Sequence, residues 1–450
     1  MSELAELAKF IVDLRPEEIP EDVKKAAVLH VLDTVGTAVG AASDRQIQSV
    51  LREWTKKDKG GSVHIWGTGK QSGLSTSVFM NAMMAHTQEM DDVHTKSKTH
   101  IGTVVIPAAW GTAEYLGAGG KEFLLAVICG YEVMSRIGMA FGVSAHRNQG
   151  WHVTATAGTF GAAAAAGKLL GLDQENMVWA LGLAGAQSFG TWAFLSDGAT
   201  CKAVNPARAA QDGVEAALLA RAGVSGPEHV LTSQDGGLFH MMTDQAVPAL
   251  AVQDLGKKWQ ILDMDSKPYP SCRSTHCVID GVLKLREKYQ LSATDIDHIQ
   301  IHTYSVGYKQ CGAAPGSREP KTVVNAKFSS PFVAACAIVR GEVTLREMKE
   351  EIIQDPEIQD LLHKVQVEPD PAFTEAYPEH WGCRVQIYTK DGEVREALVP
   401  DASGSTARPL TEKQVKDKAV SLMEETVKEL AEEYAGRILK IQEAPCMPAL

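Results

Sequence analysis

The 450-residue sequence contains no Cys-x-x-Cys pair, no His-Glu-x-x-His motif, no internal repeat and no run approaching eighteen uninterrupted apolar residues. These absences argue against a zinc site, a repeat architecture and a membrane-spanning helix. Positive charge is also short: 44 Lys and Arg face 56 Asp and Glu, a net charge of -12, which speaks against a nucleic-acid or anionic-membrane partner. An anionic small molecule must then find its positive charge locally. The start, MSELAELAKFIVDL, carries acidic residues where a signal peptide carries positive ones and has no cleavage-site pattern, so a cytoplasmic location is expected. The eight cysteines are scattered, and Cys129 and Cys336 sit in apolar helical contexts. That pattern suits reduced, buried thiols rather than a disulfide framework.

What is present is an ordinary globular composition, 44% hydrophobic and 22% charged, at a length that favours two domains. From residue 3 to about 260 the periodicity is helical almost throughout; Val28, Leu29, Val31, Leu32 and Val35 follow the three-four spacing of one buried face. ATAGTFGAAAAAGKLLG and LGLAGAQSFGTWAF are rich in residues small enough for helix backbones to approach closely, as in the centre of a bundle. The character changes near Lys267. After a helix around Cys277 to Tyr289, DHIQIHTYS alternates as a strand, and RVQIYTKDGEVREALV reads as two strands joined at Asp391 and Gly392. A capping box from Thr411 to Gln414 then opens a long helix to about Ala435. The fold expected is mainly α: a large all-helical domain, 1–266 plus 406–450, with a smaller α+β domain, 267–405, inserted between.

Titratable residues concentrate in AHTQEMDDVHTKSKTHIGTVVIP, where His86, His94 and His100, the carboxylates Glu89, Asp91 and Asp92, and Lys96 and Lys98 crowd between two apolar segments. If the preceding helix continues, His86, Glu89 and Asp92 fall near one face. A metal reading would use His86 and Glu89, but one such pair lacks the matching second motif of a di-metal bundle. GWHVTATAG places His152 ahead of a small-residue helix, and DGATCKAVNPARAAQDG puts Lys202 just before Asn205 and Pro206, a suitable N-cap and first-turn pair. KPYPSCRSTHCVID brings Lys267, Arg273 and His276 to the domain junction. Taken singly, each of these is more often structural or solvated than catalytic.

Taken together and in order, HTQEMDDVH, THIGTVVIPAA, GWHVTATAG, KAVNPARAAQDG, KPYPSCRSTH, NAKFSSPFVAACAI and ARPLTEKQVKDK resemble the landmarks of the MmgE/PrpD family. That family includes 2-methylcitrate dehydratase, cis-aconitate decarboxylase and iminodisuccinate epimerase. The resemblance implies a homodimer that needs no metal or organic cofactor and works on small di- or tricarboxylates in a cleft between its domains. It places Asp92, His100, His152 and Lys202 in catalytic roles and Glu89, Lys267, Cys272, Arg273 and His276 around the substrate. These residue types suit proton abstraction beside a carboxylate. Lys202, Lys267 and Arg273 would stabilise the developing negative charge, and Arg273 can grip a carboxylate in two-pronged fashion. His152 or His100 would act as base, with Asp92 orienting an imidazole or protonating a leaving group. The resemblance implies two departures from the decarboxylase pattern, which has histidine at Cys272 and tyrosine at Phe332. These departures count against the decarboxylase without choosing between dehydratase and epimerase; the leading expectation is a 2-methylcitrate dehydratase-like lyase. Epimerisation of a dicarboxylate, decarboxylation of cis-aconitate and carboxylate binding without catalysis are the alternatives.

Overall fold

The computed structural model describes residues 1–58 and 60–450. Its apolar side chains form two large separate clusters. One runs from Leu4 to Met264 and takes in Val415 to Leu450. The other lies between Cys277 and Ala402.

The first cluster is built by helices that bury nearly all of their circumference. Gly158–Leu169 has ten successive buried residues, Gly158 to Gly167, because Ala and Gly leave room for neighbours on every side. Gly120–Ala140 is long and apolar enough to cross a bilayer, but 89% of its most apolar window is packed inside the protein. The C-terminal helix Glu412–Val427, opened by the Thr411 and Gln414 capping box, lies against Glu21–Ala41. Close approach there depends on two glycines: a Cβ on Gly36 would stand 2.7 Å from the Ala419 Cβ, and one on Gly40 2.7 Å from the Leu422 carbonyl oxygen. A side chain at either position would force the helices apart. The final helix is shorter than its pattern predicts. It stops at Val427, Lys428 turns to φ 48°, and a second helix, Ala431–Leu439, comes after it.

The second cluster sits under a four-stranded sheet ordered Val365–Pro369, Ile296–Thr303, Cys383–Thr389, Val394–Val399. The first pairing is parallel and the other two antiparallel. Cys383–Thr389 alternates buried and half-buried residues along its length, and Gly392 at φ 88° makes the turn into the next strand. His276–Tyr289 and Ser330–Arg340 cover the inner face.

The helical part also contains strands that its periodicity hides: the hairpin of Val63–Ile65 with Lys70–Ser72, and Val93–His94 paired with Met264–Asp265. The second pair ties the titratable stretch to the start of the α+β segment.

Candidate active site

The helix Leu74–Thr87 ends before the titratable stretch rather than running through it. Gln88 closes it, and Glu89 adopts φ 59°, a left-handed conformation uncommon for a residue with a side chain. The three-four spacing stops there, and contacts with distant segments shape the loop beyond it. Val93 pairs with Asp265, the His94 N–H donates to the Thr99 carbonyl at 2.8 Å, and Lys418 from the C-terminal helix donates to the Met90 carbonyl at 2.6 Å.

The loop sends its two adjacent aspartates in different directions. Asp92, expected in the site, turns into the helical core. It accepts from the Gly102 N–H at 2.9 Å, at the start of Gly102–Leu116, and from the Tyr131 hydroxyl at 2.7 Å. Burial raises its pKa to about 7 despite these two donors. Asp91, to which the sequence motifs give no role, joins the cluster instead. Its Oδ2 lies 2.7 Å from His86 Nδ1 and 3.1 Å from His100 Nδ1, and its Oδ1 lies 3.7 Å from Lys267 Nζ. Burial pushes this carboxyl upward, but His86, His100 and Lys267 outweigh it and hold it well below the usual range.

Glu89 is the second buried anion. Its two carboxylate oxygens meet Lys202 and Lys267, the latter at 3.2 Å, and Lys267 also donates to the Glu89 carbonyl at 3.1 Å. Here too burial works against ionisation and the two lysines prevail, so the carboxyl stays charged. Lys202 further donates to His86 Nε2 at 2.8 Å. It projects from the short helical turn Thr200–Ala203 leading into Val204–Arg221. Asn205 does not cap that helix, since it lies inside it. Its amide donates instead to the Thr191 carbonyl at 3.2 Å and to His152 Nδ1 at 3.1 Å.

These groups border a cavity lined by both predicted histidines, His100 and His152, and by Glu89, Lys202, Cys272 and Arg273. Trp192 packs edge-on to His152, with ring centroids 5.0 Å apart. Burial lowers the pKa of His100 to about 4 and that of His152 well below the ordinary value, with Lys202 adding to the effect on His152. Both imidazoles are therefore neutral at neutral pH. Their neighbours favour opposite tautomers. The Asp91 carboxylate beside His100 Nδ1 keeps the proton there and leaves Nε2 free to accept one. The Asn205 amide, whose orientation the Thr191 carbonyl fixes, donates to His152 Nδ1 and leaves the proton on Nε2.

Three further assignments change. Lys267 is fully buried behind Glu89 and does not line the cavity. His276 is likewise buried outside it, between the Arg273 guanidinium at 3.1 Å and the Ser271 carbonyl at 3.2 Å. Phe332 lies in the core of the α+β segment, so its difference from tyrosine does not fall on the cavity wall; Phe328 lines the cavity instead. Arg273 reaches the wall, but its Nε is held by Asp265 at 2.8 Å. The Cys272 thiol is drawn down to about 6, first by its hydrogen bond with Cys311 and then by the Ser274 N–H and Lys267. Lys98, Arg147, Trp192, Gln310 and Trp381 also line the cavity, and the ordered motifs give them no role. For Lys98 the signal was its place in the titratable stretch. Arg147 stands five residues before His152.

His86, Asp91 and His100 could in principle hold a cation, as their donor atoms lie within 4.8 Å of one another. In this arrangement, however, the donors are engaged with each other, and Lys202 and Lys267 stand beside them.

Residues 5–250 match the MmgE/PrpD N-terminal domain and residues 269–442 the MmgE/PrpD C-terminal domain. Relatives include the cis-aconitate decarboxylase-like protein oryM of Aspergillus oryzae, 27% identical over 92% of this chain and 89% of its own length. Cis-aconitate decarboxylase of Aspergillus terreus (strain NIH 2624 / FGSC A1156) is 28% identical over 86% of this chain and 82% of its own. The Homo sapiens cis-aconitate decarboxylase is 27% identical over 91% and 85%. With both family domains matched along nearly its whole length, the chain belongs to the MmgE/PrpD family.

Proposed function

We propose that the protein is a cofactor-independent lyase acting on a small tricarboxylate, with dehydration of a 2-methylcitrate-like hydroxy acid as its leading reaction. The observation that carries this reading is a pair of neutral imidazoles, His100 and His152, facing one cavity beside the buried Lys202. In the proposed step, His100 Nε2 takes the proton from the carbon next to a carboxylate. The C–H electron pair becomes the new C=C bond as the C–O bond breaks, and the His100 imidazolium gives its proton to the departing hydroxyl, which leaves as water. Lys202 and the His152 Nε2–H stabilise charge that gathers on the carboxylate during proton removal. Asp91 holds His100 in the accepting tautomer.

A second reading, decarboxylation of cis-aconitate, has support in the names of the relatives. It requires a donor for the carbon that loses carbon dioxide, and Cys272 is the thiol on the cavity wall at the position where the decarboxylase pattern has histidine. Proton NMR of a panel of hydroxy-polycarboxylates and cis-aconitate in deuterated water tests both readings. Alkene signals from a hydroxy acid support dehydration. Deuterium exchange with inversion and no alkene would support an epimerase, itaconate from cis-aconitate at a comparable rate would make decarboxylation the leading reading, and inertness of the whole panel would remove the enzyme reading. The same reading carries a cytoplasmic homodimer, which light scattering of the purified chain would check for the oligomer.

A further inference from the structure

The cavity has four lining cations, and among the described residues two of them have no carboxylate partner. Lys202 is paired with Glu89 and Arg273 with Asp265. Lys98 Nζ and Arg147 Nε are buried and have no hydrogen-bond partner among the described residues. An unpaired buried cation is costly: it gives up its proton, or water or an anion completes it.

Local structure holds both in place. Lys98 has φ 58°, in the left-handed region, and its N–H donates to the His94 carbonyl at 2.8 Å, closing a tight turn. A strained conformation of this kind, fixed by its surroundings, is characteristic of functional positions. Its ammonium lies 4.4 Å from the centroid of Tyr377, whose hydroxyl is also buried without a partner. Arg147, in the last turn of Val143–Asn148, lays its guanidinium over Trp192 at 4.3 Å, and Trp192 in turn packs on His152. The aromatic faces fix the two cations without neutralising them. Burial lowers Lys98 to about 7, with the nearby Arg147 charge adding to it, and lowers Arg147 to about 10. An anion placed between them would relieve both effects.

We propose that Lys98 and Arg147 form the seat for a substrate carboxylate remote from the reacting carbon, and that this seat makes the site selective for tricarboxylates over shorter acids. The inference rests on the lyase reading above and adds the part of the substrate that reading leaves unassigned. Arg147 offers a planar donor fork and Lys98 a compact charge, a combination suited to one carboxylate.

Calorimetric binding of three unreactive acids tests it: propane-1,2,3-tricarboxylate, glutarate and butyrate, with the wild type, Lys98→Met, Arg147→Met and Lys98→Arg. Thermal melts check that each variant folds. The expected result is tricarboxylate binding at least about tenfold weaker in both Met variants, the scale of a lost charge-assisted hydrogen bond, with recovery in Lys98→Arg. Selectivity for the tricarboxylate over glutarate should fall in the same variants. Unchanged selectivity in folded Lys98→Met and Arg147→Met would overturn the seat, and if Lys202→Met still weakened binding, the lyase reading would survive that result. Failure of the wild type to bind any of the three acids would overturn both.

Discussion

The two cationic walls of the cavity differ in what they already hold. On one, Lys202, with Lys267 buried behind it, is matched by Glu89 and Asp91, and His86 and His152 are held by Asp91, Lys202 and Asn205. On the other, Lys98 and Arg147 rest on aromatic rings and, among the described residues, have no carboxylate partner. A matched wall is preorganised: its charges are aimed before substrate arrives and need no reorganisation during the reaction. An unmatched wall binds, because its desolvation cost is recovered when an anion enters. The difference divides the cavity into a part that should govern turnover and a part that should govern affinity.

The largest effect should come from the matched wall. Lys202→Met should lower kcat by at least about a hundredfold, as expected for a lost electrostatic stabiliser, and should also lower the melting temperature, because it leaves the buried Glu89 with Lys267 alone. Near-normal turnover would remove Lys202 from the chemistry. If turnover stayed normal while affinity fell, the division between the walls would be reversed.

Asp91→Asn comes next. An amide in place of this carboxylate no longer favours the proton on His100 Nδ1, so kcat should drop by about tenfold to a hundredfold, the lower part of the range for general-base contributions. The neighbouring Asp92→Asn sharpens the point. It should leave kcat within about twofold, because Asp92 binds the Gly102 N–H and the Tyr131 hydroxyl rather than a cavity residue. Equal losses in the two variants would mean that the loop, not the Asp91 carboxylate, is what matters.

Asp92→Asn should instead alter how stability depends on pH. The folded-state pKa of Asp92 is raised from 3.8 to about 7, so its stabilising effect is complete below about pH 3.8 and is lost as pH rises through 7. An asparagine cannot ionise and lacks this dependence. Between pH 5 and 8 the wild type should therefore lose about 2–3 kcal/mol more stability than the variant, measured by urea unfolding. Parallel profiles would show that Asp92 ionises normally.

The sequence reveals these features unevenly, for physical reasons. Side-chain patterning made the return of the chain to the helical core legible through the Thr411 and Gln414 capping box, and the hairpin through Asp391 and Gly392. It could not reveal the strand Val365–Pro369, whose residues are only half-buried or exposed and carry no clean alternation. In the site, the family resemblance implies His100, His152 and Lys202, and all three line the cavity. The choice between Asp91 and Asp92 was not legible, because it depends on the left-handed turn at Glu89, and helical spacing has no meaning beyond it. Lys98 and Arg147 escaped for a different reason: a buried cation without a partner looks in sequence like any solvated one.

The smallest expected effect is that of a chelator. His86, Asp91 and His100 are the kinds of residue that bind zinc, which takes nitrogen and oxygen ligands at about 2.0–2.2 Å. Here His86 Nδ1 and Asp91 Oδ2 are 2.7 Å apart and hydrogen-bonded, and the other His86 nitrogen accepts from Lys202 at 2.8 Å. A dication would have to displace that hydrogen bond and sit beside two ammonium groups, Lys202 and Lys267. Repulsion between like charges at such distances, about 4 kcal/mol per pair of unit charges at an effective dielectric of 20, opposes it. Turnover after exhaustive EDTA treatment should therefore match the untreated rate, with no stoichiometric metal by elemental analysis. Loss of activity restored by one divalent ion would show that the lysines move aside, and would recast the matched wall as a metal site with His86, Asp91 and His100 as its ligands.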